Sequence, residues 1–156
     1  KRYVSWLNNP KIVRFSEQRH KTHTIRNCKK YLNSFKNSPH FFWAIIVRGQ
    51  PIGHIGNMVA LVDKANKTAD LSILIGEPKA WKKGYGTEAW QAFLNFLFKK
   101  IKLRKITAGT LAANKPMLRV MEKSGMTNDG QRKKQFLWEG KEIDCIYKAL
   151  FQINAV

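Results

Sequence analysis

The sequence predicts an α/β (α+β) domain on a mixed, mostly antiparallel central sheet flanked by helices, and three observations predict it. Apolar residues make up 44% of the 156-residue chain and aromatics 12%, including five Trp and nine Phe, which is enough for a packed core. Short β-branched and aromatic runs bounded by Gly, Pro and Asn alternate with stretches of helical periodicity. The element order that results is ααβββαβαββ, and its central strand–helix–strand is a parallel βαβ unit.

The elements follow in order. Residues 3–9 form a short helix stopped before Pro10. A second helix starts after Thr22 or Thr24 and runs to about Phe35, with Ile25, Cys28, Tyr31, Leu32 and Phe35 on one face. Phe41–Val47 is a strand ending at the Arg48-Gly49-Gln50-Pro51 turn, Ile52–Val62 is the next, and Asp70–Ile75 completes an antiparallel meander closed by Gly76-Glu77-Pro78. From Thr87 to about Lys100, Trp90, Phe93, Leu94, Leu97 and Ile101 recur at helical spacing and mark a core-facing stripe. Lys105–Leu111 is a strand, and residues 115–124 are a helix ended by Gly125. Strands at about 134–139 and 142–150 pair across Glu139-Gly140-Lys141. Without repeats or a Pro/Gly/Ser-rich linker, residues 1–156 read as one domain.

Several function classes are excluded early. Cys28 and Cys145 lack CxxC spacing, so neither a disulfide framework nor a zinc site is expected, and two reduced thiols suit a cytoplasmic protein. No apolar run approaches 18 residues, so no membrane span is expected. The formal net charge of +19 and pI near 10.2 favour anionic partners. Residues 1–62 hold 11 basic side chains and one acid, Glu17, so over half of the excess lies in this segment. Charge alone supports a rival reading, a nucleic-acid- or ribosome-binding module, but no helix-turn-helix, zinc-finger spacing or RNP-like strand accompanies it.

The chemistry-bearing stretch is Trp81-Lys82-Lys83-Gly84-Tyr85-Gly86-Thr87-Glu88-Ala89, which joins a strand to a helix. Glycine turns the backbone tightly and lets an anion approach. The first helix amides lack intrahelical partners and point at that space, where the helix dipole adds positive potential. Lys79, Lys82 and Lys83 add full charges. The pattern is not a P-loop, because no GxxxxGK[ST] is present, and GxGxxG is incomplete.

Together with Ala69–Gly76 before it and Asn114–Met126 after it, this stretch resembles the GNAT N-acetyltransferase superfamily. It looks closest to the branch of ribosomal-protein N-terminal and amino-sugar acetyltransferases. Trp6-Leu7-Asn8-Asn9-Pro10, Pro51-Ile52-Gly53-His54-Ile55-Gly56 and Glu122-Lys123-x-Gly125 also match, so the resemblance covers essentially the whole chain. The family's usual first strand is missing, as if the N-terminus were trimmed.

The resemblance implies acetyl-CoA as cosubstrate, with no metal. It implies a sheet splayed between the strands at 70–75 and 105–111. Backbone groups of Ile73, Leu74 and Ile75 would bind the pantetheine, the amides of Lys82, Lys83, Gly84, Tyr85, Gly86 and Thr87 the pyrophosphate, and Asn114 the cofactor. Three positions depart from the superfamily pattern. Trp81 stands where Gln or Arg is frequent, Met121 lies near the place of a Tyr acid, and Met117 replaces a Ser common in the branch.

Proton transfer from the acceptor ammonium needs a base. Asp70, 14 residues before Gly84, is the first candidate; several GNAT enzymes carry a Glu base there. His54, an imidazole between two glycines of a strand, is the second. Tyr147 and Asp144 on the last strand are candidates near the thiolate. In this fold the N-terminal helices help wall the acceptor site, and here they carry Arg14, Arg19, His20, Lys21, His23, Arg26, Lys29 and Lys30. The expected partner is therefore a small anionic amine, foremost a nucleotide-linked amino sugar, then a protein N-terminus. A homodimer is a further expectation.

Overall fold

Aromatic and β-branched density between Phe41 and Ile75 folds into the edge of a six-stranded sheet. In the computed structural model, residues 1–49 and 53–153 are described; the Pro51-Ile52 part of the matched turn lies outside them. The strands are β1 (Phe41–Val47), β2 (Gly53–Asp63), β3 (Thr68–Ile75), β4 (Lys105–Leu111), β5 (Thr127–Trp138) and β6 (Lys141–Phe151), ordered β1-β2-β3-β4-β6-β5. Among the described residues only β3 and β4 pair in parallel, joined by helix α3 (Tyr85–Lys99), as the strand–helix–strand reading predicts. Helices α1 (Arg2–Leu7) and α2 (Ile25–Asn33) precede the sheet, and α4 (Lys115–Lys123) lies between β4 and β5.

Local chemistry sets the helix ends. The Thr24 hydroxyl accepts from the amide of Asn27, whose side chain accepts from the amide of Thr24, a complete capping box for α2. Asn114 caps α4 by accepting from the Met117 amide, and Pro116 sits in the first turn where no amide is needed.

Each face of the sheet has its own cover. Trp90, Phe93, Leu94 and Leu97 of α3 are all buried and pack with Met58, Ala60, Val62, Ala69, Leu71, Ile106 and Ala108. Trp43 stacks on Phe93 with centroids 4.3 Å apart. Alternation sends the neighbouring residues, Leu74 among them, to the opposite face. There Leu74 packs against a smaller cluster of Leu7, Val13 and Cys28, and Tyr3 and Tyr31 meet Phe42 edge-on.

The expected strand at 134–139 starts earlier, at Thr127. Residues 127–135 are exposed, so no apolar alternation reveals them; pairing with β6 makes them a strand. Two register shifts, between Asn128 and Gly130 and between Arg132 and Phe136, bend this edge strand. Among the described residues no helix is long and apolar enough to cross a membrane.

Candidate functional site

Strands β3 and β4 pair only through Thr68–Lys105, Ala69–Ile106 and Asp70–Thr107, yet β3 continues to Ile75 and β4 to Leu111. Beyond Asp70 each follows its outer neighbour, β3 staying on β2 and β4 on β6. A wedge opens between them, and among the described residues the facing backbone edges have no strand partner. Asp70 stands at its apex and Ile73, Leu74 and Ile75 form one wall. About 17 Å of strand separates Asp70 from Ile75.

The wide end of the wedge meets the start of α3. A short 3-10 turn over Pro78–Ala80 leads to Lys82 and Gly84, both left-handed, with φ of 60° and 85°. The indole N–H of Trp81 donates to the Ile75 carbonyl at 2.9 Å, so this side chain ties the turn to the end of β3. That bond also occupies the carbonyl of the third pantetheine-wall residue. The first backbone bond into α3 runs from the Glu88 amide to the Gly84 carbonyl, and no side chain caps the helix. The amides of Tyr85, Gly86 and Thr87 therefore face outward, beside exposed Lys82 and Lys83. A Cβ at Gly84 would meet nothing within 4 Å, and one at Gly86 only the Ile75 side chain, at 3.6 Å. The glycines leave an open cradle rather than relieve a clash, and a pyrophosphate fits its charge and donors. Asn114 lies past the end of β4; its amide nitrogen donates to Thr110 Oγ1 at 2.9 Å while its oxygen caps α4. One amide hydrogen of Asn114 remains for a ligand.

At the apex, Thr107 Oγ1 donates to the Asp70 carboxylate at 3.2 Å and also lies 3.3 Å from the Ala69 carbonyl. The carboxylate reaches solvent on one side, but protein around it limits hydration and raises its pKa, against the Thr107 bond. Tyr147 sits two strands away, directly opposite Gly109 of β4. A Cβ at Gly109 would come within 2.7 Å of the Tyr147 ring, so the bare backbone lets the phenol lie over β4 toward Asp70. The Tyr147 pKa is raised, first by a hydrogen bond with Cys145, then by burial, with the Cys145 and Asp70 charges adding to it and Arg132 opposing.

The other candidates are held elsewhere. His54 Nε2 lies 3.0 Å from the Gly56 carbonyl and 2.9 Å from Asn57 Oδ1, and the ring meets Trp6 edge-on. Two acceptors place a proton on that nitrogen. Along β2, His54 is seven residues from Leu61, the partner of Asp70, a separation of roughly 20 Å. The structure therefore brings Asp70 and Tyr147 together without His54. Asp144 accepts from the Gln131 side chain and the Lys134 amide, at the bend in β5. Met121 is wholly buried in the core. Arg14 pairs with Glu139, and Arg19 binds Glu17 and the carbonyls of Ser16 and Leu137, so two of the supposed wall cations hold the chain together.

Comparison with known proteins fits this geometry. A family described as the acetyltransferase (GNAT) domain matches residues 1–127. The chain belongs to the GNAT family. An uncharacterized N-acetyltransferase, YnaD, from Bacillus subtilis (strain 168) is 32% identical over 111 residues, 71% of this chain and 64% of the relative's length. Among solved structures, a GNAT-family acetyltransferase from Bacillus anthracis aligns with a TM-score of 0.78 at 26% identity, over 95% of this chain and 86% of that one. Spermidine N-acetyltransferase from Vibrio cholerae, in complex with CoA and spermine, shares the fold at 17% identity and a TM-score of 0.85, over 96% of this chain and 88% of that one.

Several residues that the fold brings beside Asp70 and Tyr147 escape a reading by motif. Thr107 and Arg132 lack a distinctive spacing. Gly109 did carry a signal, because a glycine inside a strand pattern marks close backbone approach. Trp81, a departure from the common residue, acts as a strut.

Proposed function

We propose that this chain is an acetyl-CoA-dependent N-acetyltransferase that moves an acetyl group to a primary amine by direct attack in a ternary complex. One observation carries the reading: the β3–β4 wedge runs from an uncapped, lysine-flanked helix start at one end to a carboxylate at the other. Bound acetyl-CoA supplies the thioester carbonyl that the amine attacks and the thiolate that leaves. The amides of Tyr85, Gly86 and Thr87, with Lys82 and Lys83, hold the pyrophosphate, and the backbone edge of Ile73 and Leu74, ahead of the Ile75 carbonyl that Trp81 occupies, aligns the arm. Asp70, directly or through water, takes the proton that the ammonium must lose. Its raised pKa brings its basicity nearer that of the amine. Tyr147, protonated at neutral pH, stands ready to hydrogen-bond the leaving sulfur. Asn114 contributes its spare amide hydrogen.

The acceptor is an amine bearing negative charge, foremost a nucleotide-linked amino sugar and next a protein N-terminus. In support, Lys21, Arg26, Lys29 and Lys30 lie exposed on and beside α2, where a polycation such as spermine would meet repulsion. Release of free thiol from acetyl-CoA, followed across amino sugars, nucleotide-linked amino sugars, peptides and polyamines, tests the reading. Turnover highest with an anionic amine is expected. Turnover confined to polyamines would contradict the acceptor assignment, and none with any amine would contradict the activity.

A further inference from the structure

The β5–β6 hairpin carries four carboxylates, and each is already engaged. Asp129 pairs with Lys105 at 2.8 Å, Glu139 with Arg14 at 2.9 Å and Glu142 with Lys134 at 3.0 Å. Asp144 accepts from Gln131 and from the Lys134 amide. Arg132, midway along β5, pairs with none of them; its guanidinium lies over the Tyr147 ring, 5.3 Å from the centroid. A guanidinium on a ring face leaves its in-plane N–H donors free, and their fork matches a carboxylate or a phosphate.

The register puts this cation on the working face. Arg132 lies opposite Cys145, which shares a face with Tyr147; Tyr147 lies opposite Gly109, and Thr107, two residues back, bonds Asp70. Asp70 and Arg132 therefore flank Tyr147 from opposite sides, and no ion pair joins them among the described residues. An amine delivered to Asp70 would project the rest of its molecule along the phenol toward Arg132.

Resting on the acetyltransferase reading above, we propose that Arg132 determines acceptor specificity by binding an oxyanion, carboxylate or phosphate, which the acceptor carries on the far side of Tyr147 from its amine. The preferred substrates are thus zwitterionic, with the two charges separated by about the breadth of the phenol. Asp129, Glu139 and Glu142 are paired with cations and Asp144 is held by two neutral donors, so that among the described residues one guanidinium faces the site without a carboxylate partner.

Two matched pairs of amines test it: glucosamine phosphate against glucosamine, and β-alanine against its amide. Binding is measured by calorimetry with CoA present, alongside kcat/KM with acetyl-CoA, for the wild type, Arg132→Met and Arg132→Lys. Methionine keeps an unbranched apolar chain on the ring and removes the charge. The wild type should prefer the charged member of at least one pair, and which pair responds identifies phosphate or carboxylate. Arg132→Met should reduce that preference about tenfold, the worth of one charge-assisted contact, with acetyl-CoA affinity unchanged, and lysine should restore part of it. A wild type that does not favour either charged member, or a preference that survives in Arg132→Met, would overturn the proposal while leaving acetyl transfer intact. Equal losses for charged and neutral members would mean that Arg132 only supports Tyr147, and would overturn it too. Failure of the wild type to bind acetyl-CoA would instead remove the enzymatic reading on which the proposal stands.

Discussion

At Asp70 the fold limits water around a carboxylate while Thr107 returns one hydrogen bond, and the balance raises the pKa. The direction has two consequences. If Asp70 is the base, activity needs its deprotonated form, so the acid limb of the kcat/KM profile should lie above the ordinary aspartate range. Because the folded-state pKa is the higher one, the folded protein holds this proton more tightly than the unfolded chain. Stability attributable to Asp70 is therefore lost as pH rises from the ordinary value through the raised one. Asp70→Asn should lower kcat/KM by about a hundredfold or more. It should also leave neutral-pH thermal stability unchanged or higher, with any gain fading in acid. A large drop in both would make Asp70 a structural residue. Tyr147 shifts upward as well, so its phenol stays protonated beyond the usual tyrosine range, and the alkaline limb belongs to another group. The family resemblance pointed to Asp70 through its distance to the glycine turn, and the structure adds its place at the wedge apex. The place of His54, away from Asp70, was not legible in the sequence, because the contacts of its ring with Gly56, Asn57 and Trp6 depend on the fold.

Between elements, the most consequential contact joins the loop before Glu17 to the tip of the β5–β6 hairpin. Phe15 stacks on Trp138 at 5.5 Å, the Arg14 guanidinium lies 5.0 Å from the Trp138 ring and pairs with Glu139, and the Trp138 indole donates to the Arg14 carbonyl at 3.0 Å. More than 100 residues separate the partners, so this clasp ties the N-terminal segment to the wall that carries Arg132. Trp138→Ala removes the stack, the cation–π contact and the indole bond together, and should cost about 1–3 kcal/mol. Hydrogen exchange should rise in residues 10–20 and 133–140 while α3 stays protected; a uniform rise, or none, would show that the clasp is not a separate unit. Helix α3 was legible because its stripe of Trp90, Phe93, Leu94 and Leu97 repeats at helical spacing. The first half of β5 was not, since Thr127–Lys133 lies at an edge, exposed along its length, and pairing alone defines it. The wedge lies between these cases. Glycines at 84 and 86 pointed to the cradle, but only the truncated β3–β4 ladder reveals how far the strands part.

Across the whole molecule the charge of +19 acts as a field, partly spent on internal pairs and partly left facing solvent. Arg14, Arg19, Lys105, Lys134 and Lys148 have carboxylate partners. For an anionic acceptor, raising ionic strength from about 0.01 M to 0.15 M shortens the Debye length from roughly 30 Å to 8 Å, so its KM should rise. A neutral amine should show little change, and a KM that falls with salt would mean a cationic acceptor. The acetyltransferase site stands or falls with the cradle at the start of α3, which calorimetric titration of acetyl-CoA into the wild type and Gly86→Asp probes. Gly86 is the better position because, unlike Gly84, its backbone is not left-handed and the fold has room for a Cβ there. An aspartate in the first helical turn also favours the helix dipole. The variant should therefore melt no lower than the wild type while losing at least tenfold in affinity, because a carboxylate would stand where the pyrophosphate binds. Equal affinity in both proteins would place the cofactor elsewhere and contradict the account.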